Sequence, residues 1–217
     1  MQKKIPITYQ DVLSIIKRLL IVSEEYNVPF GEPIVMVGGT AMAAHRIRTQ
    51  SYDVDLYARI FSDDVVHQVE QEFREQFGSM FKIDVTSTEN IWGMIMLRDI
   101  NKSEPDTTIQ IDNYQYLIQK LSSEDLFLLK LDSDRKKDQD DLPAIYEKTN
   151  IDLLVKRFNI IVKWHGDRDA VLGYADSFVS AMKKFGNHNP LDVISKLNIS
   201  KFMIELLYES WSNNYNE

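Results

Sequence analysis

Apolar residues recur at two different periods along this chain, and the change of period divides it. After Thr8, the residues Val12, Ile15, Ile16, Leu19 and Leu20 fall at the three- and four-residue spacing of an amphipathic helix. Thr8 and Asp11 form a capping-box pattern at its start, with aspartate in the usual glutamate place. Pro29, Gly31 and Pro33 then break the chain. Ile34 to Val37 predicts a short strand that stops at Gly38-Gly39, and Thr40 to His45 predicts a helix of small residues able to pack closely on a sheet. Ser51 to Ala58 switches to period two, with Asp53, Asp55 and Tyr57 on one face and Val54 and Leu56 on the other. Ser62 is placed to cap a further helix whose stripe runs Val65, Val66, Val69, Phe73 and Phe77, and Gly78 ends it. Strands are predicted at Phe81 to Val85, Ile91 to Ile100 and Thr107 to Ile111.

Beyond Ser122 the helical period takes over. Ser123-Glu124-Asp125 opens a helix carrying Leu126, Leu129 and Lys130, and the remainder reads as helices broken near Pro143, Asn150 and Gly186 to Pro190. No internal repeat or low-complexity tract interrupts the pattern. The expected fold class is α/β (α+β): a mixed-sheet half over residues 1–120, then a helical half over residues 121–217.

Composition narrows the function classes. A chain of 217 residues can bury one sizeable core, or one core and a smaller satellite. No apolar run reaches the roughly 18 residues that a membrane span needs, and the N-terminal stretch lacks the apolar core of a signal peptide. The absence of cysteine excludes disulfides, thiolate catalysis and cysteine-ligated zinc. A cytoplasmic protein with no membrane partner is expected. The net charge of −8 repels nucleic acid on average, so a nucleic-acid substrate needs a local basic patch, whereas a cationic small molecule or a basic protein suits the surface as it stands. His45, His67, His165 and His188 show no zinc-ligand spacing.

Candidate chemistry lies in one ordered set: strand, Gly38-Gly39, helix; then Asp53-Val54-Asp55 on a strand; then Asp84 between Ile83 and Val85. The period of two points both carboxylates of Asp53 and Asp55 the same way. Two such hard oxygen ligands suit Mg²⁺ or Mn²⁺ held together with substrate phosphates. Asp84 is the expected third carboxylate, with Asp112 as a rival. Clustered carboxylates repel one another unless cations bind between them. Gly38 and Gly39 leave room for backbone N–H groups to approach a triphosphate, and Thr40 offers a hydroxyl. Taken singly, each feature has a plainer reading: a tight turn, a solvated strand face, a local cap. Lys130 sits among leucines, while Lys136 with Asp140 and Lys137 with Asp141 have the spacing of solvated helix pairs.

Val37-Gly38-Gly39-Thr40-Ala41-Met42-Ala43 followed by Ser51-Tyr52-Asp53-Val54-Asp55-Leu56 resembles the signature of the DNA polymerase beta nucleotidyltransferase superfamily. Within it the chain is most similar to AbiEii-type nucleotidyltransferases of bacterial abortive-infection toxin–antitoxin systems. That likeness extends through Leu126 to Leu131, Arg135, Lys137-Asp138 and Asp141-Leu142, and covers roughly residues 34 to 146. It implies a polymerase-beta-type core with a C-terminal helical domain. It also implies that Asp53 and Asp55 bind the metals and that Asp84 is the third ligand or the general base. Lys130 is implied to reach the nucleotide phosphates, helped by Arg135 or Lys137. Relatives place a basic residue just before the Asp-x-Asp; here Arg46 and Arg48 stand further upstream. The implied activity is transfer of a nucleoside monophosphate from an NTP to an RNA or tRNA end or a protein hydroxyl, with an antitoxin as a further partner. Two alternatives stay open: a small cationic, antibiotic-type acceptor, and a non-catalytic nucleotide-binding module.

Overall fold

The computed structural model describes residues 5–86, 104–131 and 133–213, and it divides into two compact units, the first ending at Ser122 and the second opening at Ser123. The first unit is α/β. Its elements are α1 (Tyr9–Glu25), β1 (Gly31–Met36), α2 (Gly38–Ala44), β2 (Val54–Ile60), α3 (Asp63–Phe77), β3 (Ile83–Thr86), β4 (Glu104–Ile111) and β5 (Tyr114–Lys120). The capping box forms: the Asp11 N–H donates to Thr8 Oγ1, and the Thr8 N–H donates to Asp11 Oδ2 at 2.8 Å. Ser62 takes the N-cap position of α3 but makes no side-chain capping bond. The strand expected over Ile91 to Ile100 lies outside the described residues.

The five strands form one mixed sheet in the order β3-β2-β1-β5-β4. β2 runs antiparallel to β1, β3 runs parallel to β2, and β5 runs parallel to β1. Strand parity then sorts the side chains. Ile34, Met36, Val54, Leu56, Ala58, Ile83 and Ile118 join the core with Val12, Ile15, Ile16 and Leu19 of α1 and Val65, Val66 and Val69 of α3. Asp53, Asp55 and Asp84 occupy the alternate positions and so stand on the opposite face of the sheet.

β5 is a strand that apolar patterning misses. Of Tyr114 to Lys120 only Ile118 is fully buried, so the segment carries almost no alternation. It forms because it pairs with β4 on one side and β1 on the other.

The second unit is helical: α4 (Ser123–Leu131), α5 (Lys136–Tyr146), α6 (Ile151–Lys163), α7 (Arg168–Gly186), α8 (Pro190–Ser195) and α9 (Lys201–Asn213). Asn150 caps α6, and Asn187 in the left-handed region ends α7. Pro143 does not break the chain as expected. It lies inside α5, which runs on to Tyr146, because losing one backbone hydrogen bond near a helix end is tolerable when Leu142 and Ile145 are buried. Phe158 stacks on Phe178 at 4.4 Å and on Tyr174 at 5.4 Å, and Arg157 holds buried Asp125 through two 2.7 Å bonds. Among the described residues no helix is long and apolar enough to cross a membrane.

Candidate active site

The site begins with the register of two parallel strands. Asp55 of β2 pairs directly with Asp84 of β3, and Asp53 precedes Asp55 by one period of two. All three carboxylates therefore rise from one patch of one sheet face. Asp53 and Asp55 are half-buried and Asp84 is exposed. Asp55 is held most firmly. Its backbone N–H donates to Thr40 Oγ1 at 2.8 Å, its carbonyl accepts from the Val37 N–H at 3.1 Å, and its Oδ2 accepts from the Gly39 N–H at 2.8 Å. Burial pushes its carboxyl up to about 6, the bond from Gly39 opposes that, and the charges of Asp53 and Asp84 add to the rise.

The diglycine turn is shaped around this carboxylate. Gly38 has φ +51°, and a Cβ there would lie 2.7 Å from Asp55 Oδ2. A Cβ on Gly39 would lie 2.9 Å from Ser51 Oγ. Gly38→Ala is therefore expected to lose about 1–2 kcal/mol from left-handed strain alone, with further displacement of Asp55, as read by chemical denaturation. Gly166→Ala, where nothing lies within 4 Å, is the control expected to change stability little.

These bonds alter two sequence expectations. The Gly39 N–H and the Thr40 hydroxyl, expected to face a triphosphate, instead hold the side chain and backbone of Asp55. Thr40 is fully buried, and its contribution is to position Asp55. Topology also decides between the rival third carboxylates. Asp112 sits in the β4–β5 turn, at the end of the sheet where β1 begins, whereas Gly38 follows the other end of β1. It cannot join Asp53 and Asp55. Ser51 carries no role in the sequence reading beyond its place in the motif; it is buried, pairs with Ile7 and donates from Oγ to the Asp53 carbonyl at 2.9 Å. Its only sequence signal is its place two residues before Asp53.

No protein-family model, curated protein or solved structure matches the chain.

Lys130 and Arg135 belong to the helical unit. Lys130 is buried, and its ammonium pairs with Asp138 Oδ1 and, at 3.0 Å, with Asp141 Oδ2. Two buried carboxylates neutralise it, and this pairing, where the sequence expected a nucleotide phosphate, gives it a structural partner within its own unit. Asp141 thus pairs with Lys130, where the sequence spacing had suggested Lys137. Arg135 is largely exposed and donates from Nε to Asp138 Oδ2 at 2.7 Å, and Ser133 Oγ donates to the same atom at 2.7 Å. Burial alone would raise the Asp138 carboxyl, but the bonds from Lys130, Ser133 and Arg135 outweigh it and hold the group at about 2. The folded pKa lies below the ordinary 3.8, so the stabilisation is present above that value and is lost as pH falls from 3.8 towards 2. Asp138→Asn is expected to flatten this acid limb, as measured by urea midpoints from pH 5 to pH 2.

The donor set fits a hard divalent cation in kind: carboxylate oxygens on one sheet face, one of them half-buried beside two like charges. As the side chains stand, no group of three or more His, Asp or Glu among the described residues is disposed to hold a metal ion. The fit rests on Asp53 and Asp55, with Asp84 near enough to be felt by Asp55 and exposed enough to turn toward it.

Proposed function

We propose that this protein is a nucleotidyltransferase with a polymerase-beta-type core, transferring a nucleoside monophosphate from an NTP to a hydroxyl acceptor with Mg²⁺ or Mn²⁺. The observation that carries this reading is the Asp55 carboxylate, gripped by the diglycine turn on the sheet face it shares with Asp53 and Asp84; burial and their charges push it upward. A protein keeps such a destabilising carboxylate patch where function needs it. Divalent ions there would neutralise the carboxylates and draw charge from the triphosphate and the departing pyrophosphate.

Asp53 and Asp55 would hold the ions; Gly39 and Thr40 keep Asp55 in place. Asp84, exposed on the same face, completes the ligand set or takes the acceptor's proton. The acceptor oxygen attacks the α-phosphorus and forms the new O–P bond. The bond from that phosphorus to the bridging oxygen breaks, and pyrophosphate leaves with the electron pair. The acceptor class that fits the sequence likeness is an RNA or tRNA end or a protein hydroxyl, in a toxin paired with an antitoxin.

The incomplete trio of ligands favours a second reading, a non-catalytic nucleotide-binding module. One experiment separates the two. The protein is incubated with each α-phosphate-labelled NTP, Mg²⁺ or Mn²⁺, and total cellular RNA or protein. Label is expected on one acceptor class, dependent on the ion and absent with Asp53→Ala. Metal-dependent NTP binding without label on any acceptor would instead establish the module.

A further inference from the structure

Along α7, Asp169, Leu172, Gly173 and Asp176 form one stripe at the i, i+3, i+4, i+7 spacing. With Leu206 and Leu207 of α9 they line an open groove of about 540 Å³. Its floor is leucine and its α7 wall carries two carboxylates two helical turns, or roughly 10 Å, apart. Both aspartates are exposed, and neither forms an ion pair with any described residue. Glu209, one turn beyond Leu206, is exposed as well. The cation at the far end is Lys183, whose Nζ lies 5.4 Å from the Trp211 ring centroid; the Trp211 indole N–H donates to Asp176 Oδ1 at 2.9 Å.

Gly173 is the second, independent observation. A glycine inside a helix is less favourable than alanine, and buried packing is its usual explanation. Here nothing lies within 4 Å of the place its Cβ would occupy. The missing side chain leaves the groove open in the middle of its wall. Helices pack at axis separations of about 8–10 Å, and a glycine on the contact stripe lets a third helix approach closely.

We propose that this groove docks a basic amphipathic helix of a partner protein, with apolar anchors on Leu172, Leu206 and Leu207 and lysine or arginine beside Asp169 and Asp176. The groove's walls have helical spacing, its floor is apolar, its rim is acidic and the chain carries a net charge of −8. The docking is independent of the nucleotidyl-transfer reading, and either can fail alone.

The probe is a synthetic helical peptide with leucines at i, i+3, i+4 and i+7 flanked by lysines, beside a twin with glutamates in their place. Binding to the full chain is followed by anisotropy and by the Trp211 indole N–H resonance, assigned with Trp211→Phe. The lysine peptide is expected to bind saturably and move that resonance, while the glutamate peptide does neither. Asp169→Lys/Asp176→Lys should weaken binding at least tenfold. Gly173→Leu should abolish it while raising the melting temperature, which separates a blocked groove from a misfolded chain. Three results overturn the proposal. In the first, the two peptides bind equally or neither binds. In the second, spermidine moves the resonance as the peptide does, pointing to a small polycation. In the third, the chain self-associates through this groove and Lys156→Glu/Lys163→Glu abolishes it. That would make the occupant a second copy, presenting the exposed Leu153 and Trp164 of α6.

Discussion

Asp55→Asn is expected to abolish label transfer while making the protein more stable, a pairing that few inactivating substitutions produce. Asparagine can still accept the Gly39 N–H through its amide oxygen, so the turn keeps its shape. What disappears is the charge. Losing several kcal/mol of cation-mediated stabilisation lowers the rate on the order of a thousandfold, since each 1.36 kcal/mol is a factor of ten. Stability moves the other way. The folded carboxyl sits at about 6 against 3.8 unfolded, so the folded state keeps a proton that the unfolded chain releases between those values. Wild-type stability therefore falls as pH rises from 3.8 to 6 and stays lowered above it, by at most about 3 kcal/mol. The asparagine variant lacks that slope. In chelator, its melting temperature should exceed wild type by roughly 3–8 °C at pH 8 and match it near pH 3.8. Equal stability at pH 8 would mean that burial and the neighbouring charges do not strain Asp55.

Lys130→Met is expected to damage the fold more than Gly38→Ala or Asp138→Asn. It removes the ammonium that neutralises Asp138 and Asp141, both buried. Breaking a buried pair from one side costs about 3–5 kcal/mol, because a charge is left without compensation in a poorly solvating interior. Arg135 remains bonded to Asp138, so that carboxylate keeps one cation. Adding Asp138→Asn and Asp141→Asn to Lys130→Met should recover much of the stability, since an apolar methionine beside neutral amides strands no charge. Urea denaturation of the three-residue variant against the single one measures the recovery. If Lys130→Met unfolds like wild type yet binds NTP more weakly, Lys130 is a phosphate ligand after all.

The capping box at Thr8 and Asp11, the apolar stripes of α1 and α3 and the parity of Asp53 and Asp55 were legible because each depends on residues two to four apart. Backbone geometry converts such spacing into direction without knowledge of the rest of the chain. Asp84 was legible for a related reason: a lone acid between apolar neighbours on a strand must face away from the core.

Pairing between distant segments was not legible. β5 exists because β1 and β4 flank it, and its own residues scarcely alternate. Asp112 was the weaker rival to Asp84, and the strand registers place it at the far end of the sheet. Thr40 and Lys130 were assigned to a ligand because a hydroxyl and an ammonium suit phosphate, but each has a protein partner that spacing alone does not specify. The Asp55 N–H lies 15 residues from Thr40, and Asp138 and Asp141 reach Lys130 from the next helix. A buried polar group must find a partner, and which one it finds depends on how distant segments pack. The chain by itself determined which residues could carry chemistry and which way they point. Tertiary packing decided which of them face open space and which are already bonded within the protein.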